Sequence, residues 1–448
     1  MITTISDVAP KVAAGKVTSE KLTENCLKTI AELNPKLNAF ITVTADQALA
    51  RARQADKEIA GGRCLGPLHG IPISIKDLID VEGLPTTAGS LLRKDMIATS
   101  DAPVTRRLRE AGAVFVGKTN LHEFAFGTTS EDSGFGPARN PHDPSRSPGG
   151  SSGGSGIAVA TGMSLGSIGT DTGGSIRIPA AACGVVGLKP EWGRISADGV
   201  VPLSRQLDHV GPLAASVADA WTLYNALQPP KARVSMLPET AVLKGLTFGM
   251  PSGYLFERLD EDVERALLKT LELLRGYGAT IKDVGLPHAN DIATVYLHLV
   301  FGDAAEYHAP TLESRPQDYT PNVRLRLEMA RYVLAEDYIR ALRGKAVITT
   351  EINQALQGVD ALICPALAIA APPIGAATVP VKGGNEPVRV AMLRCTQPFN
   401  LSGHPAISLP CGKTPAGLPV GLQLVGHKGR MPALIQSALA VEKSLGYK

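Results

Sequence analysis

The chain has 448 residues, ample for a proper core, and its 45 Lys plus Arg against 42 Asp plus Glu leave a net charge of +3 with no block of like charge. That balance lacks the electrostatic footprint of a nucleic-acid binder. No run of about eighteen apolar residues occurs, and the first sixteen residues lack a basic stretch followed by an apolar one, which argues against a membrane span and a secretory signal and makes a cytoplasmic protein the expectation. The six cysteines are scattered and form no CxxC pair, so free thiols in a reducing compartment are expected, with no disulfide and no structural zinc. The 46 glycines and 33 prolines exceed the usual shares of about 7% and 5%, so their clustering matters.

In chain order, Leu22, Cys26, Leu27, Ile30 and Leu33 recur at helical spacing behind a Thr/Ser cap and predict a helix over 18–34. A second helix over 46–59 ends at Gly61-Gly62, and the two make an N-terminal helical layer of about residues 1–65. A short apolar run punctuated by Gly and Pro occupies 70–77, and after it 104–111 reads as a helix and 114–117 as a strand. This alternation predicts an α/β fold, a single large and mostly mixed central twisted sheet covered by helices on both faces. Glycines concentrate over 127–187, around a weakly apolar stretch at 157–165. Further on, 260–275 is an amphipathic helix stopped by Gly276, 279–284 a strand, 323–345 one long Arg-bearing helical region, and 362–365 and 406–410 buried strands returning to the same sheet. No linker interrupts the chain, so one continuous domain is expected. Its core covers about 66–225 and 360–448, and a variable segment of about 230–357 shapes the substrate site.

Two motifs mislead. Gly112-Ala-Val-Phe-Val-Gly117-Lys118-Thr119 matches the P-loop pattern, yet a phosphate cradle follows a strand and keeps small, flexible residues between its glycines. Here a helix precedes, and Ala113, Val114, Phe115 and Val116 form strand. GxSxG occurs twice, around Ser151 and Ser152, but a hydrolase elbow needs a strand just before it, and the preceding residues 140–148 hold three prolines. A flexible Gly/Ser tether is the plain alternative for 149–156. A second run, Gly169-Thr-Asp-Thr-Gly-Gly-Ser175-Ile-Arg-Ile-Pro179, suits a nucleophile. Thr172, Gly173, Gly174 and Ser175 can present convergent N–H donors to an oxyanion beside the Ser175 hydroxyl. A hydroxyl needs a base. His122 and His142 read as structural histidines, whereas Lys76 follows Ile73 and Ile75 in a run too apolar for a surface lysine. It is either a base made neutral by burial or a lysine paired with Asp77 or Asp80.

These residues together resemble the amidase signature family of serine hydrolases. The resemblance rests on 70–77, on Gly117-Lys-Thr-Asn120 with Glu123-Phe124-Ala125, on Gly136-Pro137 and Asn140-Pro141, and on Gly149-Gly-Ser151-Ser-Gly-Gly-Ser155. It continues through 169–179, Gly187-Leu-Lys-Pro190, Leu207-Asp208, Gly211-Pro212 and Gly417-Leu-Pro-Val-Gly-Leu-Gln423. It implies a triad of Ser175, Ser151 and Lys76, in which Ser175 attacks, Ser151 relays the proton from a cis peptide after Gly150, and Lys76 is the base. It further implies an acyl-enzyme, supporting roles for Ser152, Ser155, Asp171 and Arg177, and no metal or organic cofactor.

Within the family, Val388-Arg-Val-Ala-Met-Leu-Arg-Cys-Thr-Gln-Pro-Phe-Asn400 departs from the A component of the tRNA-dependent amidotransferase, and no lipid-directed N-terminal extension is seen. The expectation is therefore a stand-alone hydrolase of small or aryl amides, carbamates (urethanes) or ureido compounds. Such an enzyme takes a small-molecule amide or carbamate substrate, has no nucleic-acid or membrane partner, and is a monomer or homodimer. Tyr296, Phe301, Tyr307 and Met329 are the candidates for setting its preference. The alternative is an A-type glutaminase subunit of such an amidotransferase.

Overall fold

A computed structural model describes residues 3–234 and 242–446. Thirteen strands are present among them. The first six are β1 (Phe40–Val43), β2 (Pro72–Lys76), β3 (Val114–Thr119), β4 (Gly166–Thr170), β5 (Val186–Lys189) and β6 (Val210–Ala214). Then come β7 (Thr247–Met250), β8 (Thr280–Asp283), β9 (Ala361–Pro365), β10 (Thr378–Val381), β11 (Gly384–Pro387), β12 (Ala406–Lys413) and β13 (Pro419–Val425). Eleven of them form one mixed sheet in the order β1-β3-β2-β4-β6-β5-β12-β13-β9-β7-β8, while β10 and β11 pair separately. Helices cover the sheet, so its central strands are buried throughout, as parallel and mixed sheets require.

The predicted helices are present with shifted ends. The first runs Ser19–Leu37, capped by the Thr18 hydroxyl and closed by Asn38 in the left-handed region. The helix Glu261–Gly276 starts behind Asp260, but Gly276 is its last residue and the positive φ falls at Gly278. The helical region expected over 323–345 holds two helices, Pro321–Ala330 and Ala335–Ala355, with Leu334 extended between them. No Gly or Pro marks that break. The 23-residue helix Ile292–Ser314 was not signalled, because its apolar residues lie on all sides and hide the helical period.

The sheet register positions the chemistry. β2 runs parallel to β4, with Ser74 opposite Ser167 and Ile75 opposite Ile168. Parallel strands bring their C-terminal ends together, so Lys76 at the end of β2 lies beside Thr170 at the end of β4. The loops leaving this edge enter two buried helices, Gly153–Ala160 and Arg177–Cys183. The Gly/Ser stretch is thus no tether, since from Gly153 onward it is helix.

Candidate active site

Lys76 is wholly buried, and its Nζ donates to Ser151 Oγ and to Thr170 Oγ1, each at 2.8 Å. Burial pushes its pKa down to about 7, against the opposing pull of Asp208 and Asp171. The paired-lysine alternative fails, because among the described residues Lys76 forms an ion pair with neither Asp77 nor Asp80, and Asp77 is taken by Lys118 at 2.9 Å and by Thr87. Lys118 also donates to Pro85 O, and with Lys118 and Thr119 both inside β3 the P-loop match is strand, as expected.

Ser151 follows the cis peptide Gly150–Ser151. Its carbonyl accepts from Ser130 Oγ at 3.2 Å and from His122 N at 3.1 Å, which fixes the loop from the far side. Gly150 must be glycine here, since a Cβ would sit 2.8 Å from Ser130 N. Ser152 N donates to Ser175 O at 3.3 Å, joining the two serine loops, and Ser152 Oγ donates to Thr170 O at 3.1 Å. Ser175 is 6% exposed, and its hydroxyl makes no hydrogen bond among the described residues. Lys76 and Ser151 are therefore in contact, while Ser175 meets the residue after Ser151 through its backbone carbonyl, with its hydroxyl unengaged. Ser155 lies further off, bonded to Thr119 Oγ1 at 2.8 Å.

The run after β4 is tied down on every side. Thr172 Oγ1 donates to Asp208 Oδ1 at 2.6 Å, and Asp208 also accepts from the N–H groups of Leu203 and Ser204. Burial pushes the Asp208 pKa up to about 6. Thr396 Oγ1 donates to Gly173 O at 2.6 Å. Gly174 has φ +146, and an added Cβ would lie 2.2 Å from Thr396 Oγ1, while one on Gly173 would lie 2.3 Å from the Tyr296 hydroxyl. Asp171 Oδ1 and Oδ2 hold Arg177 Nη2 and Nε at 2.9 and 3.0 Å, and Oδ2 also accepts from Ile176 N. Burial would raise the Asp171 carboxyl, but the Arg177 guanidinium beside it holds it well below the usual carboxylate range. Arg177 reaches on to Gln423, Asn400 and Thr396 O.

His122 and His142 are structural, as read. Burial pushes His122 down to about 4 beside Asp132, and His142 Nε2 meets Cys183 O at 2.9 Å. Of the preference candidates, Tyr296 lies on Gly173 and Phe301 packs edge-on against Phe126. Tyr307 lines a cavity of about 640 Å³ with Leu203 and Tyr338, and Met329 is exposed. Thr170, Ser130, Asp208 and Thr396 are the residues that sequence reasoning gave no role. Thr170, Asp208 and Thr396 sit inside quoted segments, but only the folded chain shows which way their side chains reach.

The Amidase family model matches residues 21–434. A glutamyl-tRNA(Gln) amidotransferase A-type subunit from Chloroflexus aurantiacus is 40% identical over 458 residues, covering 95% of this chain and 93% of that one. A crystal structure of an amidase superposes with a TM-score of 0.94 at 39% identity, covering 99% of this chain and 100% of the other. The Thermotoga maritima counterpart of that A-type amidotransferase subunit gives 0.80 at 32%, covering 98% and 94%. These relatives correct the expected partners. A lone monomer or homodimer meeting only a small amide or carbamate, with no nucleic acid, does not stand beside relatives named as subunits of tRNA-directed enzymes. The near-neutral charge spoke only for this chain's own surface, and the departure at 388–400 concerns one short segment of a match that spans nearly the whole chain. Among the described residues no helix is long and apolar enough to cross a membrane.

Proposed function

The chain belongs to the amidase family, enzymes of C–N bond chemistry, and on that premise we propose that it hydrolyses a carboxamide as the A-type glutaminase subunit of a tRNA-dependent amidotransferase. The observation that carries the chemistry is the buried Lys76 amine, 2.8 Å from Ser151 Oγ. An amine with a pKa near 7 is available in neutral form to receive a proton at working pH. Ser175 attacks the amide carbonyl, its proton passing through Ser151 to Lys76. The N–H groups of Thr172, Gly173, Gly174 and Ser175 meet the oxyanion, a contribution of about 3–4 kcal/mol for a single well-aimed donor. Collapse breaks the C–N bond, Ser151 returns a proton to the leaving nitrogen, and ammonia departs from an acyl ester on Ser175. Water, giving its proton to the same Ser151–Lys76 pair, releases the acid. Asp171 and Arg177 brace the loop, and Gly150, Ser152 and Ser155 fit it to β3 and β4. The segment of about 230–357 shapes the substrate side of a single continuous domain, a reading supported by Tyr296 against Gly173.

Identity of 40% across 95% of the chain to an A-type amidotransferase subunit supports the assembly. The test is ammonia release from glutamine by the purified chain, alone and after adding amidotransferase partner subunits with charged tRNA. Release that rises on their addition and vanishes in Ser175→Ala supports the reading. Full turnover of simple amides by the isolated chain, unchanged by partners or tRNA, would return the stand-alone hydrolase.

A further inference from the structure

The chain leaves β5 at Lys189, enters β12 at Ala406 and leaves β13 at Val425, and the register sets Ala406 against both Lys189 and Val425. Three connecting segments, 190–192, 400–405 and 426–430, therefore emerge side by side. They do so at the sheet edge that also carries Thr170, since β6 sets Val210 against Thr170 and Ala214 against Val186. Between these segments and Lys345 of the helix Ala335–Ala355 lies a cleft of about 260 Å³. None of Lys76, Ser151 and Ser175 lines it. It backs onto the reaction site through Asn400, a lining residue whose amide holds Asp171 and Arg177 behind the Ser175 turn.

Two lysines line the cleft, Lys345 and Lys428, and among the described residues neither forms an ion pair. Lys345 Nζ donates to Gln206 O at 3.2 Å and stands 5.9 Å from the centre of the Trp192 ring, while Lys428 makes no hydrogen bond among those residues. Burial pushes both amines below their ordinary pKa, and the charge of Lys428 pushes Lys345 further the same way. The acids within electrostatic reach are engaged by other groups. Glu191 Oε2 accepts from Gly429 N at 2.6 Å, Asp303 accepts from Ser204 Oγ and the Tyr338 hydroxyl, and Asp171 pairs with Arg177. Lys189, wholly buried nearby and feeling the Lys428 charge, spends its amine on Pro190 O and His404 O. Ser402, also in the lining, is 3% exposed, and its hydroxyl finds no partner among the described residues. A buried hydroxyl is costly to leave unpaired. Two amines without an acid and one hydroxyl without a partner thus border the same space.

We propose that this cleft is a phosphate-binding site, its occupant either inorganic phosphate or the phosphate of a nucleotide whose base lies on Trp192. Two amines on separate segments act as independent point charges, which suits a tetrahedral dianion, whereas a planar carboxylate is better met by one arginine fork. The Ser402 hydroxyl gives a further donor. Trp192 is 49% exposed beside them, and an open indole face is what a base stacks on. The site asks nothing of Ser175, so it is independent of the amide-hydrolase reading.

The chain's own fluorescence tests this, because it has two tryptophans and the other, Trp221, is buried. Adenosine 5′-monophosphate, titrated at fixed ionic strength in a chloride buffer, should change the Trp192 emission, and inorganic phosphate should displace it. Adenosine, which lacks the phosphate, should not bind. The midpoint should rise roughly 10- to 100-fold in Lys345→Met and in Lys428→Met, the loss expected for a hydrogen bond to a charged group. Ser402→Ala should weaken binding as well, and urea unfolding of each variant checks that it is folded. Calorimetry on Trp192→Phe separates the two sources. A nucleotide that there binds no better than inorganic phosphate places its base on the indole in the wild type, whereas equal affinities already in the wild type identify the occupant as phosphate itself. The proposal is overturned if neither phosphate nor the nucleotide binds, if adenosine binds as tightly as its monophosphate, or if the two lysine variants, folded, bind as tightly as the wild type.

Discussion

In the proposed mechanism Lys76 is where pH acts on the reaction. There its amine has to be neutral to accept the Ser151 proton, and burial sets its pKa near 7 instead of the ordinary 10.5. The rate kcat/KM measured from pH 5 to 9 should therefore climb through about pH 7 and then level. Lys76→Met should abolish that limb and cost roughly 10²- to 10⁴-fold in turnover, the usual worth of a positioned general base. A limb of unchanged midpoint in Lys76→Met would assign the base elsewhere. Asp208 tests the same group from a distance. Its carboxylate, like that of Asp171, favours the charged lysine, so Asp208→Asn should move the limb to lower pH. Loss of a charged acceptor for Thr172 should also lower kcat. A limb that moves to higher pH would contradict this sign. The sequence showed Lys76 as a lysine in an apolar run, yet left it between neutral base and ion pair. The choice depends on where Lys118 stands, and Lys118 is across a strand pair that no local pattern reveals.

Glycines and strand register carry the site at the level of the elements. The turn after β4 folds only because residue 174 lacks a Cβ, with φ at +146 and Thr396 Oγ1 2.2 Å from where one would be. Gly174→Ala should displace the proposed oxyanion donors and lower kcat by about 10²-fold or more, while the helix Arg177–Cys183 keeps its Asp171 anchor. Near wild-type turnover in that variant would remove the turn from the oxyanion site. The glycine density was plain in the sequence, and so was the strand over 114–117 that disarms the P-loop match. The consequence of that strand was not: Lys118 forms a buried pair with Asp77. Lys118→Met leaves the Asp77 charge buried without its cation, so unfolding should become easier by about 3–5 kcal/mol, read by urea denaturation. Helix breaks without Gly or Pro, such as the one at Leu334, and helices apolar on all sides, such as Ile292–Ser314, leave no trace in periodicity because tertiary packing creates them. The resemblance supplied Ser151 as relay. Composition and spacing alone had reached Ser175, its N–H donors and the lysine.

Across the whole molecule, the first and last described helices meet on the helix Val217–Leu227 through two acids, the buried Asp219 and the partly buried Glu442. Asp219 on that helix accepts from Ile5 N and Ser6 N at 2.9 Å, capping the first helix, Ile5–Ala13. Glu442, on the last helix Met431–Leu445, accepts from Val217 N at 2.8 Å. Nothing in the sequence ties residue 5 to 219 or 217 to 442, since such pairings are set by topology, just as partner subunits leave no local motif on the chain they bind. Burial, with Asp219 close by, pushes the Glu442 pKa up from 4.5 to about 7. A carboxyl raised on folding binds its proton more tightly in the folded state. Stability should therefore fall as pH rises from about 4.5 to about 7, and the full penalty persists above that. Glu442→Gln keeps an oxygen for Val217 N but carries no charge. At pH 8 it should unfold less readily than the wild type by on the order of 1–3 kcal/mol, and at pH 4 the two should coincide. Urea unfolding of both proteins at pH 4, 6 and 8 measures this. A gap that stays constant across the three would mean Glu442 titrates as it does in the unfolded chain, and that the junction of the two ends is no less hydrated than the surface.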